Sequence, residues 1–130
     1  MKKLVAGFVF ALLALQITPA HAATGTVRIT DTQHREFDGK FRNNDLLDEI
    51  STGGRLSNLL NQRAGTWVID PAVVDEVVAL TAPYRLSNGK KFDASLEAVA
   101  WIAKLKSVTR FASVVALPYG NPDPVVTKGV

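Results

Sequence analysis

Cysteine is absent from all 130 residues. That excludes disulfide staples, thiolate metal ligands and a lipid anchor on a cysteine, so any stability comes from apolar burial alone. Histidine is nearly absent too, with only His21 and His34. A metal site normally draws several His, Cys or clustered carboxylates, and the neighbours of His34, Arg35-Glu36-Phe37-Asp38, are a weak set with a cation among them. His34 therefore reads as an exposed surface residue, and no metal site is expected. Nor is there an apolar run of the roughly 20 residues that a membrane-spanning helix needs.

The longest apolar run, Leu4 to Leu15, follows Met1-Lys2-Lys3 and is broken by Gln16, Thr18 and Pro19. Ala20-His21-Ala22 then places small residues around a cleavable bond. This is the pattern of a bacterial secretory signal peptide over residues 1–22, cut after Ala22. Export places the protein across the bacterial inner membrane, in an extracellular, periplasmic or cell-envelope location. Loss of Lys2 and Lys3 reduces 15 basic residues to 13 against 12 acidic ones, so the net charge falls from +3 to +1. The remaining basic residues are spread out, with no aromatic interleaving, which argues against nucleic acid as a partner. The 108 residues that remain can bury one modest core.

Residues 23–44 read as an N-terminal strand, about 24 to 30, and a polar irregular connection in which Phe37 and Phe41 are the large apolar groups. Residues 45–130 read as a domain of βα units. A helical turn or two at 45–50 ends at Thr52-Gly53-Gly54, and a second helix runs from Arg55 to about Arg63 with Leu56, Leu59 and Leu60 on one face. Thr66-Trp67-Val68-Ile69 is β-branched and aromatic without alternation, as expected of a strand covered on both faces. Asp70 is a favoured N-cap and Pro71 suits the first helical position. Val73, Val74, Val77, Val78 and Leu80 form the apolar stripe of that helix, with Asp75 and Glu76 pointing elsewhere. A turn-rich basic loop, Ser87 to Lys91, leads to a longer helix from a cap at about Asp93 to Val108. Its inward side is Ala98, Trp101, Ile102, Leu105 and Val108. A second strand spans 111–117.

Strand, Asp-Pro and apolar helix then begin again, since Asp70-Pro71 is repeated as Asp123-Pro124, 53 residues on. This is the grammar of a parallel sheet. Two such strands need neighbours. Either the strand at 24–30 makes a small three-layer sheet, or the chain is the front end of a longer protein with an incomplete α/β barrel. The second reading is favoured by sheet size.

Gly53-Gly54-Arg55-Leu56, Trp67-Val68-Ile69-Asp70-Pro71, Trp101 and Leu117-Pro118-Tyr119-Gly120-Asn121-Pro122-Asp123 occur in an order that resembles a family of large exported bacterial proteins of unknown function, membrane-anchored at their far end. The resemblance covers roughly residues 37 to 130. It implies an α/β-barrel-like domain of the broad kind found in polysaccharide deacetylases and glycosidases, and a tie to the cell envelope.

In parallel α/β folds ligands meet the carboxyl ends of the strands. Asp70, Tyr119, Asn121 and Asp123 belong there. Asp70 and Asp123 are the candidate catalytic pair, as acid and base on a glycosidic bond or as ligands to a metal with help from His34. The competing reading makes both plain helix caps, worth about 1 kcal/mol each, and proline at the next position favours it. Arg55, with the Gly53-Gly54 amides, is a candidate anion ligand, and Tyr119 and Asn121 complete the ligand-binding candidates. Trp67 and Trp101 fit core positions better than sugar-stacking ones. No pattern for a cofactor is present. The expected function is an exported envelope protein that binds or processes cell-wall glycan, the alternative being a non-catalytic interaction or scaffold domain. The expected partners are accordingly cell-wall polysaccharide or envelope proteins.

Overall fold

The computed structural model describes residues 25–120, so the leader expected at 1–22 and the candidates Asn121 and Asp123 lie outside the described residues. The elements in chain order are β1 (Thr26–Ile29), α1 (Asp45–Ile50), α2 (Arg55–Leu59), β2 (Thr66–Ile69) and α3 (Pro71–Ala79). They are followed by β3 (Tyr84–Arg85), β4 (Lys91–Phe92), α4 (Leu96–Thr109) and β5 (Ser113–Ala116). Strands β1, β2 and β5 form a parallel sheet in that order, with Val27 opposite Trp67 and Trp67 opposite Val114. The fold is thus α/β, and the strand near residue 26 supplies the third member of the sheet. The sheet is open among the described residues, with β1 and β5 at its edges.

One face of the sheet carries the core. Val27 and Ile29 are buried while Thr26 and Arg28 are exposed, the period of two that a half-covered strand shows. Trp67 joins them, but Thr66 and Val68 are only half-buried, so β2 is covered on one face rather than on both. Its unbroken apolar run reflects β-branched preference for an extended chain, not a second helical layer. Leu46, Leu56, Val73, Val77, Trp101 and Leu105 bring the four helices onto that face as one cluster. Each fully buried Leu or Val contributes about 1.5–3 kcal/mol.

The helix ends differ from the sequence reading at two places. The long helix starts at Leu96, because Ser95 caps it: the hydroxyl accepts from Ala98 N at 3.1 Å, and the Ser95 amide donates to Leu80 O at 2.8 Å. Asp93 lies outside that turn. α2 stops at Leu59 rather than Arg63, with the chain turning through Leu60 and Asn61 towards β2. The basic loop at 87–91 is the turn of a small antiparallel hairpin, β3–β4. Phe41 anchors it, accepting from Ser87 N and donating to Arg85 O, while Tyr84 stacks on Phe92 with centroids 5.3 Å apart.

Candidate functional site

The parallel sheet directs three strand ends to one side of the molecule, and the residues just past them meet. Asp31 and Thr32 follow β1, Asp70 follows β2, and Tyr119 and Gly120 follow β5. Together with Gln33, Ala72, Val73 and Glu76 they line a cleft of about 200 Å³. That is below the roughly 300–1,000 Å³ of pockets for drug-sized ligands, and suits a single sugar residue or a small polar group.

Asp70 caps α3, with its Oδ1 accepting from Ala72 N at 2.9 Å. The same oxygen accepts from Gly120 N at 2.9 Å, which ties the segment after β5 to the end of β2. The residue is 1% exposed, and its second oxygen, Oδ2, is buried without a hydrogen-bond partner among the described residues. A carboxylate oxygen left without a donor inside a protein is costly, so this atom is where the cleft has unspent hydrogen-bonding capacity. Capping and ligand binding therefore fall on different oxygens of one side chain.

Tyr119 stands at the opening, 60% exposed. The nearby Asp75 carboxylate raises its pKa, which favours the neutral phenol. The ring is available as a flat apolar surface at the edge of a carboxylate-lined cleft.

Beside the cleft, and sharing Asp31 with it, lies a second group that folding assembles. His34 is buried, at 8% exposure, which corrects its reading as a surface residue. Its Nε2 lies 2.7 Å from Asp31 Oδ2 and 3.6 Å from Glu49 Oε2. The loop that carries it is braced by Glu76, whose Oε2 accepts from His34 N at 2.8 Å and Arg35 N at 2.7 Å. Glu76 is itself buried, so it does not point away from the apolar stripe of α3 as the sequence reading had it. It lies three residues after the buried Val73, on the inward side, whereas Val78 of that stripe is nearly half exposed.

Charge in this group is uneven. Burial resists ionisation of Asp31, but hydrogen bonds from His34, Glu49 and the Thr32 amide outweigh it and hold the carboxyl below the ordinary carboxylate range. Burial and the adjacent Asp31 push Glu49 up, against the pull of Arg55. The hydrogen bond to Asp31 raises His34, with burial opposing. Arg55, a candidate for anion binding, turns instead to its own chain. Its guanidinium lies 3.3 Å from Asp31 Oδ1 and 3.2 Å from Glu49 Oε1, and donates to Thr30 O at 3.0 Å.

Of the sequence candidates, the structure brings Asp70 and Tyr119 to one cleft and places Arg55 beside it. Asp31, Glu49 and Glu76 were missed. Asp31 could have been found by the rule that selected Asp70, since it lies two residues past β1 as Asp70 lies one past β2 of the same sheet. Glu49 has no such signal, because it arrives from α1 through the tertiary fold. Trp67 and Trp101 are buried core residues, Trp101 Nε1 donating to Leu56 O at 3.1 Å.

Fold and cleft define an α/β protein with a carboxylate-rich site at the carboxyl ends of a parallel sheet. No protein-family model, curated protein or solved structure matches the chain. No helix among the described residues is long and apolar enough to cross a membrane.

Proposed function

We propose that the protein is an exported cell-envelope component whose strand-end cleft binds a hydroxyl-rich glycan of the cell wall. The observation that carries this reading is the buried Asp70 Oδ2, without a partner among the described residues, in a cleft that Tyr119 flanks. Sugar hydroxyls are donors that satisfy such an oxygen, and the C–H face of a sugar ring stacks on an exposed aromatic. The leader pattern of residues 1–22 supports an envelope destination, and the barrel-like envelope family that the motifs resemble supports the ligand class. Processing of the glycan would use Asp70 and Asp31 as the carboxylates nearest the cleft. Binding alone needs only the acceptor and the ring.

The test is co-sedimentation of the full chain with purified, insoluble peptidoglycan. Wild type is expected in the pellet, with Asp70→Asn and Tyr119→Ala left in the supernatant. Asparagine keeps the cap through its Oδ1 but places a donor where Oδ2 stood. Binding by Asp70→Asn equal to wild type, or none by wild type, refutes the reading. The alternative, a non-catalytic interaction domain, draws on the exposed valines of β5, which present apolar side chains on a strand edge unpaired among the described residues. That reading predicts a partner protein whose capture is lost in Val115→Lys and kept in Asp70→Asn.

A further inference from the structure

We propose that Asp31, His34 and Glu49 form a binding site for one divalent cation of the zinc class, adjacent to the cleft and sharing Asp31 with it. The three offer Asp31 Oδ2, His34 Nε2 and Glu49 Oε2, and ligand atoms of the set lie within 4.8 Å of one another. They come from separate parts of the fold, the segment after β1 and the end of α1, so no local sequence pattern accounts for the convergence.

The orientation of the oxygens separates this group from an ordinary ion-pair network. Each carboxylate has one oxygen turned outward to Arg55, Asp31 Oδ1 at 3.3 Å and Glu49 Oε1 at 3.2 Å. The other oxygen of each faces the imidazole. Among the described residues no N–H donor is within hydrogen-bond reach of buried Glu49 Oε2, although Arg55 lies beside the same carboxylate. The adjoining cleft wall holds a second such atom, Asp70 Oδ2, on a side chain that is almost wholly buried. Glu49 Oε2, facing His34 Nε2 at 3.6 Å, is thus the open acceptor of the group.

Distances fit a small cation. Zinc bonds of about 2.0–2.2 Å in tetrahedral geometry place ligand atoms about 3.3–3.5 Å apart. The two separations from His34 Nε2, 2.7 and 3.6 Å, bracket that value, so side-chain adjustments of roughly half an ångström or somewhat more suffice. Three protein ligands leave a fourth position open for water. The supporting residues are of the kind that metal sites use to orient their ligands: Arg55 steers both carboxylates and Glu76 pins the His34 backbone. A mixed imidazole and carboxylate set favours zinc or a neighbouring transition metal over calcium or magnesium, which prefer oxygen alone. Metal-free, the same atoms are held by a proton on His34, faced by Asp31, Glu49, Glu76 and Arg55, and the cation displaces that proton.

The experiment is titration of the full chain, without a polyhistidine tag and stripped of metal, with Zn²⁺ in competition with a chromophoric chelator at pH 7.5. One zinc per chain is expected, with Glu49→Gln and His34→Asn each weakening it at least tenfold and Asp38→Asn, on the exposed loop, leaving it unchanged. Ca²⁺ and Mg²⁺ are expected not to compete. Absence of stoichiometric binding by wild type overturns the proposal without any variant. Equal affinity in folded Glu49→Gln, checked by circular dichroism, overturns the assignment of ligands. Should both variants unfold, zinc must still raise the thermal midpoint of wild type in a dose-dependent way, and a flat response overturns the proposal. Because Asp70→Asn leaves all three ligands in place, glycan binding and zinc binding fail or survive separately.

Discussion

Replacing Gly54 by alanine tests whether the turn between α1 and α2 is built on a close backbone approach. A methyl group at Gly54 would sit 2.2 Å from Asp48 O and 2.4 Å from Glu49 O, where real Cβ atoms do not come within 3.0 Å. The obstacle is the carbonyl end of α1, which cannot swing aside as a side chain can. Relief needs a displacement of about 0.8 Å between the two helices. Overpacking of this kind costs about 1–3 kcal/mol, and the rigid neighbour argues for the upper half. The alanine also restricts the unfolded chain, which returns about 0.4–1 kcal/mol. The net loss is therefore about 2 kcal/mol, on the order of 10 °C in a domain of this size. Gly53 provides the internal comparison. Its φ of +87° is unfavourable to alanine, but nothing lies within 4 Å of the added carbon. Strain of about 1–2 kcal/mol, less the same entropic return, leaves roughly 1 kcal/mol. Urea denaturation of wild type, Gly54→Ala and Gly53→Ala measures both. Gly54→Ala within 0.5 kcal/mol of wild type, or less harmful than Gly53→Ala, would refute the close-approach argument.

Three further outcomes are expected. Asp70→Ala leaves the Ala72 and Gly120 amides without their acceptor and costs about 2 kcal/mol in chemical denaturation, while Asp70→Asn stays within about 0.5 kcal/mol. Trp101→Phe strands the Leu56 carbonyl and costs about 2–3 kcal/mol, whereas Trp67→Phe removes a buried indole N–H that has no partner and costs markedly less, both read from urea midpoints. For metal-free protein, His34, raised from 6.5, contributes stability that is complete below that pH and fades as pH rises through its folded value. Asp31, lowered from 3.8, contributes above that pH and fades on acidification; Glu49, raised from 4.5, opposes folding once it ionises. Thermal melts across pH 3–9 should therefore peak in the mildly acidic range, and a maximum above pH 8 would contradict the signs.

The three strands of the parallel sheet and the helix that opens at Pro71 are legible because each rests on local chemistry: β-branched runs, an aspartate-proline pair, apolar spacing. Asp70 and Tyr119 are legible for the same reason, as residues at strand ends. The depth of cover on the sheet is not, because Val68 is equally apolar whether its face meets a helix or water. Ser95 rather than Asp93 caps α4 because the Leu80 carbonyl holds the Ser95 amide in place, a contact across the fold. His34 looks solitary in a polar segment, and its burial depends on Asp31 of its own segment and on Glu49 and Glu76 arriving from α1 and α3. The charge of Glu76 makes it read as pointing away, and its inward placement shows only once its two backbone donors, His34 N and Arg35 N, are seen.

Among the described residues strand β5 pairs only with β2, and all four of its residues are exposed. With so little buried surface holding it, its amides should be among the first of the sheet to exchange with solvent, at an opening free energy well below that of β1 and β2. Tyr119 and Gly120 follow β5, and the Asp70–Gly120 hydrogen bond, with Leu117 N donating to Ile69 O, is what fastens them to the cleft. The cleft thus has a firm floor and a loosely hinged wall. How often that wall stands closed is set by the fraying of one edge strand, so a ligand that bridges Asp70 and Tyr119 would spend part of its binding free energy on quieting β5.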